Sequence, residues 1–264
     1  MTPLQSPTWR WTRLSVANWS QLILAAVSHK VPNVQPQQAS PPGYLGQFRI
    51  LFSKEIAVEF RSRETAVPMA VFAVAALIAF QFSFDLRGGT LNLVAPGVLW
   101  VAIIFASLLA LGRSFAREVE RGSLDGLLAS PIDPGALYLA KVAANVLMLL
   151  VLEIVIVPLT AVLFNLQLFQ PALLLTLVMG NIGIAAVGTI LASIAARARA
   201  REALLPIMLL PLLVPVIISA VRATGLAIDE RPFSEIQPWL GVLGAYDLAF
   251  VTLSALIFYV TVER

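Results

Sequence analysis

Three short stretches of the chain carry charge at spacings that suit recognition: Phe60-Arg-Ser-Arg-Glu64, Phe115-Ala-Arg-Glu-Val-Glu-Arg-Gly122 and Ala196-Arg-Ala-Arg-Ala-Arg-Glu202. The chemistry on offer is electrostatic, because guanidinium and carboxylate groups beside apolar runs pair with a partner's charges or with anionic headgroups. A second set stands where charge is costly. Glu153 lies within Leu-Val-Leu-Glu-Ile-Val-Ile, Asn145 lies two helical turns before it, and Asp247 interrupts another apolar run. A charged carboxyl in mid-bilayer costs about 2.5 kcal/mol or more on insertion scales, so these groups must face protein. There they either line a path or interface, or fix packing through interhelical hydrogen bonds worth about 1 kcal/mol each. No cation stands at matching depth, which favours the packing role. Bond-making chemistry has no such support. The chain has no cysteine and a single histidine, His29, which lies outside every apolar run. No metal-ligand constellation, glycine-rich phosphate loop or nucleophile–base pair accompanies them.

The elements that must position these residues are membrane helices. Hydrophobic residues make up 59% of the chain and charged residues 12%, against roughly 25% charged in a soluble domain. Mean hydropathy is +0.86. Runs of about 20 apolar residues can cross a bilayer, and six are present, near 66–84, 93–112, 141–164, 172–195, 203–221 and 239–262. Lipid offers no partner to a free backbone amide, so all six are helical. The expected class is an all-α polytopic membrane protein. From Arg49 onward, Arg49, Lys54, Arg61, Arg63, Arg113, Arg117, Arg121, Lys141, Arg197, Arg199, Arg201 and Arg264 fall on one side of these spans. Arg87, Arg222 and Arg231 fall on the other. The bias predicts that the first side is cytoplasmic and that both termini lie there. It also explains the net charge of +3 without any nucleic-acid partner.

From Gly46 to Glu64 the chain reads as an amphipathic cytoplasmic helix ahead of the first span, lying along the membrane surface. Phe48, Phe52, Ile56 and Phe60 form its apolar ridge, with Glu55 and Glu59 beside it. Such a helix sets the angle of the first span, or docks a soluble subunit through its carboxylates. In the segment 112–136, Arg113, Arg117 and Arg121 are four apart and share one helical stripe, with Glu118 and Glu120 on other faces. Gly122 weakens that helix, Leu124, Leu127 and Leu128 form a compact apolar face, and Pro131 and Pro134 redirect the chain. Asp133 is placed to cap a helix whose first residue is Pro134. A charged elbow of this kind fits a groove on a soluble protein. In the third cluster Glu202 is expected to pair with a neighbouring arginine. Gly180, Gly183 and Gly188 allow close helix approach in the fourth span, and Pro206, Pro211 and Pro215 tend to kink the fifth.

Residues 1–43 differ from the body, 44–264. Trp9, Arg10, Trp11 and Arg13 precede an apolar patch from Leu14 to Val27, and a Pro/Gln-rich stretch follows. A secretory signal would export Arg49 to Glu64 against the charge bias, so a disordered or weakly membrane-associated tail is expected.

The run Glu120-Arg-Gly-Ser-Leu-Asp-Gly-Leu-Leu-Ala-Ser-Pro131, with Tyr138-Leu-Ala-Lys141, resembles the coupling segment of ABC-2-type permeases. Within that superfamily the chain resembles the CcmB family of c-type cytochrome biogenesis. The likeness rests on Lys54-Glu55, Glu59 to Glu64, Ala95 to Trp100, Arg113 to Glu118, Gly183 to Leu191, Arg199 to Glu202, Leu205-Pro206 and Pro211 to Pro215. It covers about Gly46 to Arg264. The resemblance implies an ABC-2-type permease fold in the bacterial inner membrane. It implies a permease subunit for haem export or delivery whose ATP is bound and hydrolysed on a separate CcmA-like subunit. A CcmC-like haem-handling membrane protein and a CcmE-like haem chaperone are its further partners, and release of the loaded chaperone its output. Two permease copies, or pairing with another membrane subunit, are expected. Haem is cargo and not a cofactor of this chain, since Met69, Met148, Met179 and Met208 read as apolar filler. The expected ATPase contacts are Glu55, Glu59, Arg61, Arg63 and Glu64 on the leading helix, and Arg117, Glu118, Glu120, Arg121, Gly122, Leu124, Leu127 and Leu128 on the elbow. The rival readings are an ABC-2-type exporter of a lipid, polysaccharide or drug, and a non-transporting membrane scaffold.

Overall fold

Hydrocarbon leaves helices as the economical way to satisfy the backbone, and among the described residues every regular element is an α-helix. The structure, a computed structural model, describes residues 42–83, 91–120, 122, 126, 132–168, 170–196, 198 and 200–262, which belong to one unit, Pro41–Arg264. In chain order the helices are α1 (Tyr44–Ser62), α2 (Ala66–Ser83), α3 (Leu91–Ser114), α4 (Ala116–Glu120), α5 (Pro134–Phe164), α6 (Pro171–Ala195), α7 (Arg201–Ile228) and α8 (Phe233–Val262). Six of them are long and apolar enough to cross a membrane: α2, α3, α5, α6, α7 and α8. The protein is a multi-pass α-helical membrane protein.

The ends of the helices follow local chemistry. Asp133 caps α5 as expected, its Oδ1 accepting from the amides of Gly135 and Ala136 at 2.8 and 3.2 Å, with Pro134 opening the helix. This cap starts α5 at Pro134, ahead of the apolar run that begins near 141. Lys141, counted above among loop cations, is therefore inside the helix. The helix α7 runs without interruption through Pro206, Pro211 and Pro215 to Ile228, so these prolines do not break it.

The most deeply buried span is α6, which packs against α3, α5, α7 and α8. Its small residues make this possible. A Cβ at Gly180 would collide with the Trp100 ring of α3, and one at Gly188 with Leu111 of the same helix. Trp100 is fully buried and donates from Nε1 to Thr224 Oγ1 of α7 at 2.9 Å. On the outside, α2 lies against α3 and α5, and α1 lies along the first half of α5.

Candidate functional site

Described residues of the three charged clusters, Glu64, Glu120 and Glu202, come together at one end of the bundle. Arg113 Nη1 donates to the Glu64 carbonyl at 2.8 Å, tying the α1–α2 turn to the end of α3. Beside them a cavity of about 600 Å³ is lined by Glu64, Arg113, Glu120, Glu202, Leu205 and Pro206. Arg61, Arg63, Glu64, Glu120, Gly122 and Glu202 are exposed at this end. Arg121, Leu124, Leu127 and Leu128 lie outside the described residues, as do Arg197 and Arg199; of Arg117, only the backbone in α4 is described.

The helix that carries Arg113 is interrupted before residue 117. Helix α3 ends at Ser114, a turn follows at Phe115, and α4 runs only from Ala116 to Glu120. Phe115 turns inward and is buried against Phe258 of α8, which also contacts Tyr138 of α5. Gly122 follows α4 with φ +63°, the left-handed conformation that glycine adopts at no steric cost.

Two of the expected docking carboxylates, Glu59 and Glu118, are not on the surface. Glu118 is 7% exposed and Glu59 6%. Glu59 Oε1 accepts from the amides of Thr65 and Ala66 at 3.0 and 3.1 Å, so it caps the start of α2 from the neighbouring helix. Glu118 faces Lys141, which is 1% exposed: Lys141 Nζ lies 2.9 and 2.8 Å from its two oxygens. The same ammonium donates to the Ser114 carbonyl at 3.0 Å and to Glu55 Oε1 at 3.2 Å, and lies 4.5 Å from the centre of the Phe115 ring. Lys54 completes the group, at 3.0 Å from Glu55 Oε1 and 2.9 Å from Glu118 Oε1. Among the described residues, two lysines and two carboxylates thus meet between α1, α4 and α5. Burial works against the charged form of Glu55, but Lys141 and Lys54 outweigh it and hold its pKa below the ordinary 4.5. Burial likewise opposes the Lys54 charge, and Glu55 and Glu118 outweigh it, raising its pKa above 10.5. The inward turn of Glu55 and Glu59 explains the imperfect ridge of α1. Leu51, Glu55 and Glu59 recur every four residues and face the bundle, while Phe60 is 64% exposed.

Within the bundle, Lys141, Asn145, Leu149 and Glu153 recur every four residues on one buried face of α5. Asn145 Nδ2 donates to Thr189 Oγ1 of α6 at 2.9 Å and lies 3.4 Å from Ser114 Oγ. Glu153 Oε1 accepts from Asn181 Nδ2 of α6 at 3.0 Å. Asn145 and Glu153 therefore share the α5–α6 seam, each with a polar partner. Asp247 is midway along α8, facing Gly183 of α6, and its buried Oδ1 has no hydrogen-bond partner among the described residues.

Across residues 47–263 the sequence matches the family described as CcmB protein. The chain belongs to the CcmB family. It is similar to the heme exporter protein B of Pseudomonas aeruginosa, 30% identical over 203 residues, 76% of this chain and 91% of that protein. Against the heme exporter protein B of Haemophilus influenzae it is 30% identical over 213 residues, 78% and 93% of the two chains. For the Rhodobacter capsulatus protein of that name the figures are 31% over 189 residues, 69% and 86%. In this CcmB-family chain the sequence signals that were missed are Lys141 and Asn181. Lys141, Asn145 and Glu153 are four and then eight residues apart, a spacing that puts them on one helix face, whereas Asn181 is a lone polar residue between Gly180 and Gly183.

Proposed function

We propose that the chain is the permease subunit of an ATP-driven membrane complex that exports or delivers haem for c-type cytochrome maturation. The observation that carries this reading is the CcmB match, which extends over residues 47–263 and is shared with relatives named heme exporter protein B. In this reading the body, 44–264, is the permease domain and residues 1–43 are a separate tail. The protein sits in the bacterial inner membrane with its arginine-rich end and both termini in the cytoplasm, in keeping with the charge bias of its connections.

A separate CcmA-like subunit binds and hydrolyses ATP. It docks on the exposed charges Arg61, Arg63, Glu64 and Glu120 and on the elbow that continues from Gly122. The buried Glu59 and Glu118 and the half-buried Glu55 lie behind that surface and do not touch the partner. The complex also contains a CcmC-like haem-handling membrane protein, acts on a CcmE-like chaperone, and holds two permease copies or a second membrane subunit. Haem is the cargo.

Deleting the gene is expected to abolish covalent haem in c-type cytochromes, read by haem-peroxidase staining, and restoring it to recover the signal. Undiminished staining in a strain without a second copy overturns the assignment. Charge reversal of Arg61, Arg63 and Glu120 is expected to remove the ATP-binding subunit from the purified complex while leaving the chain in the membrane.

A further inference from the structure

We infer that Lys141 is a positioning residue that carries movement of the elbow into α5 and α1, so that α1, α4 and the first turns of α5 move as one body. The inference deepens the docking reading above and rests on it. A soluble partner would push on α4 and the chain beyond it, yet α4 has only five residues, Ala116–Glu120. A turn at Phe115 precedes it, and Gly122 in the left-handed conformation follows. Through the backbone alone so short a piece pivots at both ends and passes little of a push to the spans.

The Glu118–Lys141 contact removes that freedom. Lys141 lies within 2.9 Å of both oxygens of Glu118, a charge-assisted contact that holds α4 close against α5. Its remaining contacts, the Ser114 carbonyl and Glu55, join the end of α3 and the inner face of α1 to the same atom. Lys54 spans Glu55 and Glu118 from the other side. From α1 the linkage continues to α2 through Glu59 and the Thr65 and Ala66 amides.

Energetics separate this role from simple stabilisation. Replacing a buried ion pair by well-packed neutral residues is often neutral or stabilising, whereas pulling one partner away is costly. The intact cluster therefore adds little net stability but strongly resists separation, as a rigid linkage should.

The test uses the full chain co-expressed with its ATP-binding subunit in a strain lacking the native gene. The double variant Lys141→Met/Glu118→Gln keeps charge balance and approximate volume, and leaves the Lys54–Glu55 pair in place. The expected result is wild-type co-purification of the ATP-binding subunit, with cytochrome haem staining per assembled complex lowered about tenfold. Wild-type staining per complex overturns the inference. So does loss of co-purification from a normally inserted variant, which would make the cluster a support of the docking surface only. If the wild-type chain itself retains no ATP-binding subunit, the docking reading fails and the inference falls with it. Should the double variant not reach the membrane, Lys141→Gln/Glu118→Gln, which also removes both charges together, is read by the same two measurements and decides between the same outcomes.

Discussion

The Lys141 ammonium meets both carboxylate oxygens of Glu118 inside the bundle, at 2.9 and 2.8 Å, although the two residues belong to different helices. Removing Lys141 alone takes from Glu118 and Glu55 the buried cation that meets both. Lys141→Met alone is expected to cost roughly 3–5 kcal/mol and to lower sharply the amount of folded protein in the membrane. Lys141→Met/Glu118→Gln should recover most of that loss. Thermal unfolding of the detergent-solubilised variants measures both, and an equal loss in single and double variants would contradict the pairing.

The pH dependence follows from the outer half of the same cluster. Glu55 faces Lys54 on its own helix and Lys141 of α5, and Glu118 of α4 shares both lysines. Its pKa is lowered, so its contribution is complete above the ordinary 4.5 and is lost as pH falls through the native value. The pKa of Lys54 is raised, so its contribution is complete below 10.5 and is lost as pH rises through the native value. Between these limits the two groups add no slope. The thermal midpoint should be flat on their account from about pH 5 to about pH 10, with the acid limb weakened in Glu55→Gln.

Close approach of α3 and α6 gives a third expectation. Gly180→Ala places a methyl group against Trp100 and strains the Trp100–Thr224 hydrogen bond, at a cost of about 1–3 kcal/mol. At Gly241 of α8 a Cβ meets nothing within 4 Å. Gly241→Ala should be neutral or stabilising by up to about 1 kcal/mol, as glycine is a poor helix former. Comparing the two midpoints tests whether the glycines of α6 are there for packing.

Glu153 and Asn181 make a structural pair by the geometry of their 3.0 Å bond. Glu153→Gln retains an acceptor oxygen and should keep near wild-type haem staining. A double-mutant cycle with Glu153→Leu and Asn181→Leu should give a coupling of about 1 kcal/mol. Loss of staining in a stably inserted Glu153→Gln would instead make the carboxyl part of transport.

Much of the fold was readable because each apolar run answers to lipid by itself. The six spans, the Asp133 cap with Pro134 and the glycine-mediated approach of α6 all rest on residues close in sequence. The errors arose where a tertiary partner outweighed a local pattern. Arg113, Arg117 and Arg121 are spaced for one helix, but burial of Phe115 against Phe258 accompanies a turn between α3 and α4. Glu59 and Glu118 looked like surface charges until their donors were in place.

Hydropathy and charge alone settled that the chain is an all-helical membrane protein with six spans, because a bilayer constrains every backbone segment separately. Which charges face inward was decided only by packing. Glu55 and Lys141 are 86 residues apart, and Glu118 and Lys141 are 23 apart. No local rule pairs them, and a carboxylate turns inward only where a folded neighbour supplies the cation that replaces its water.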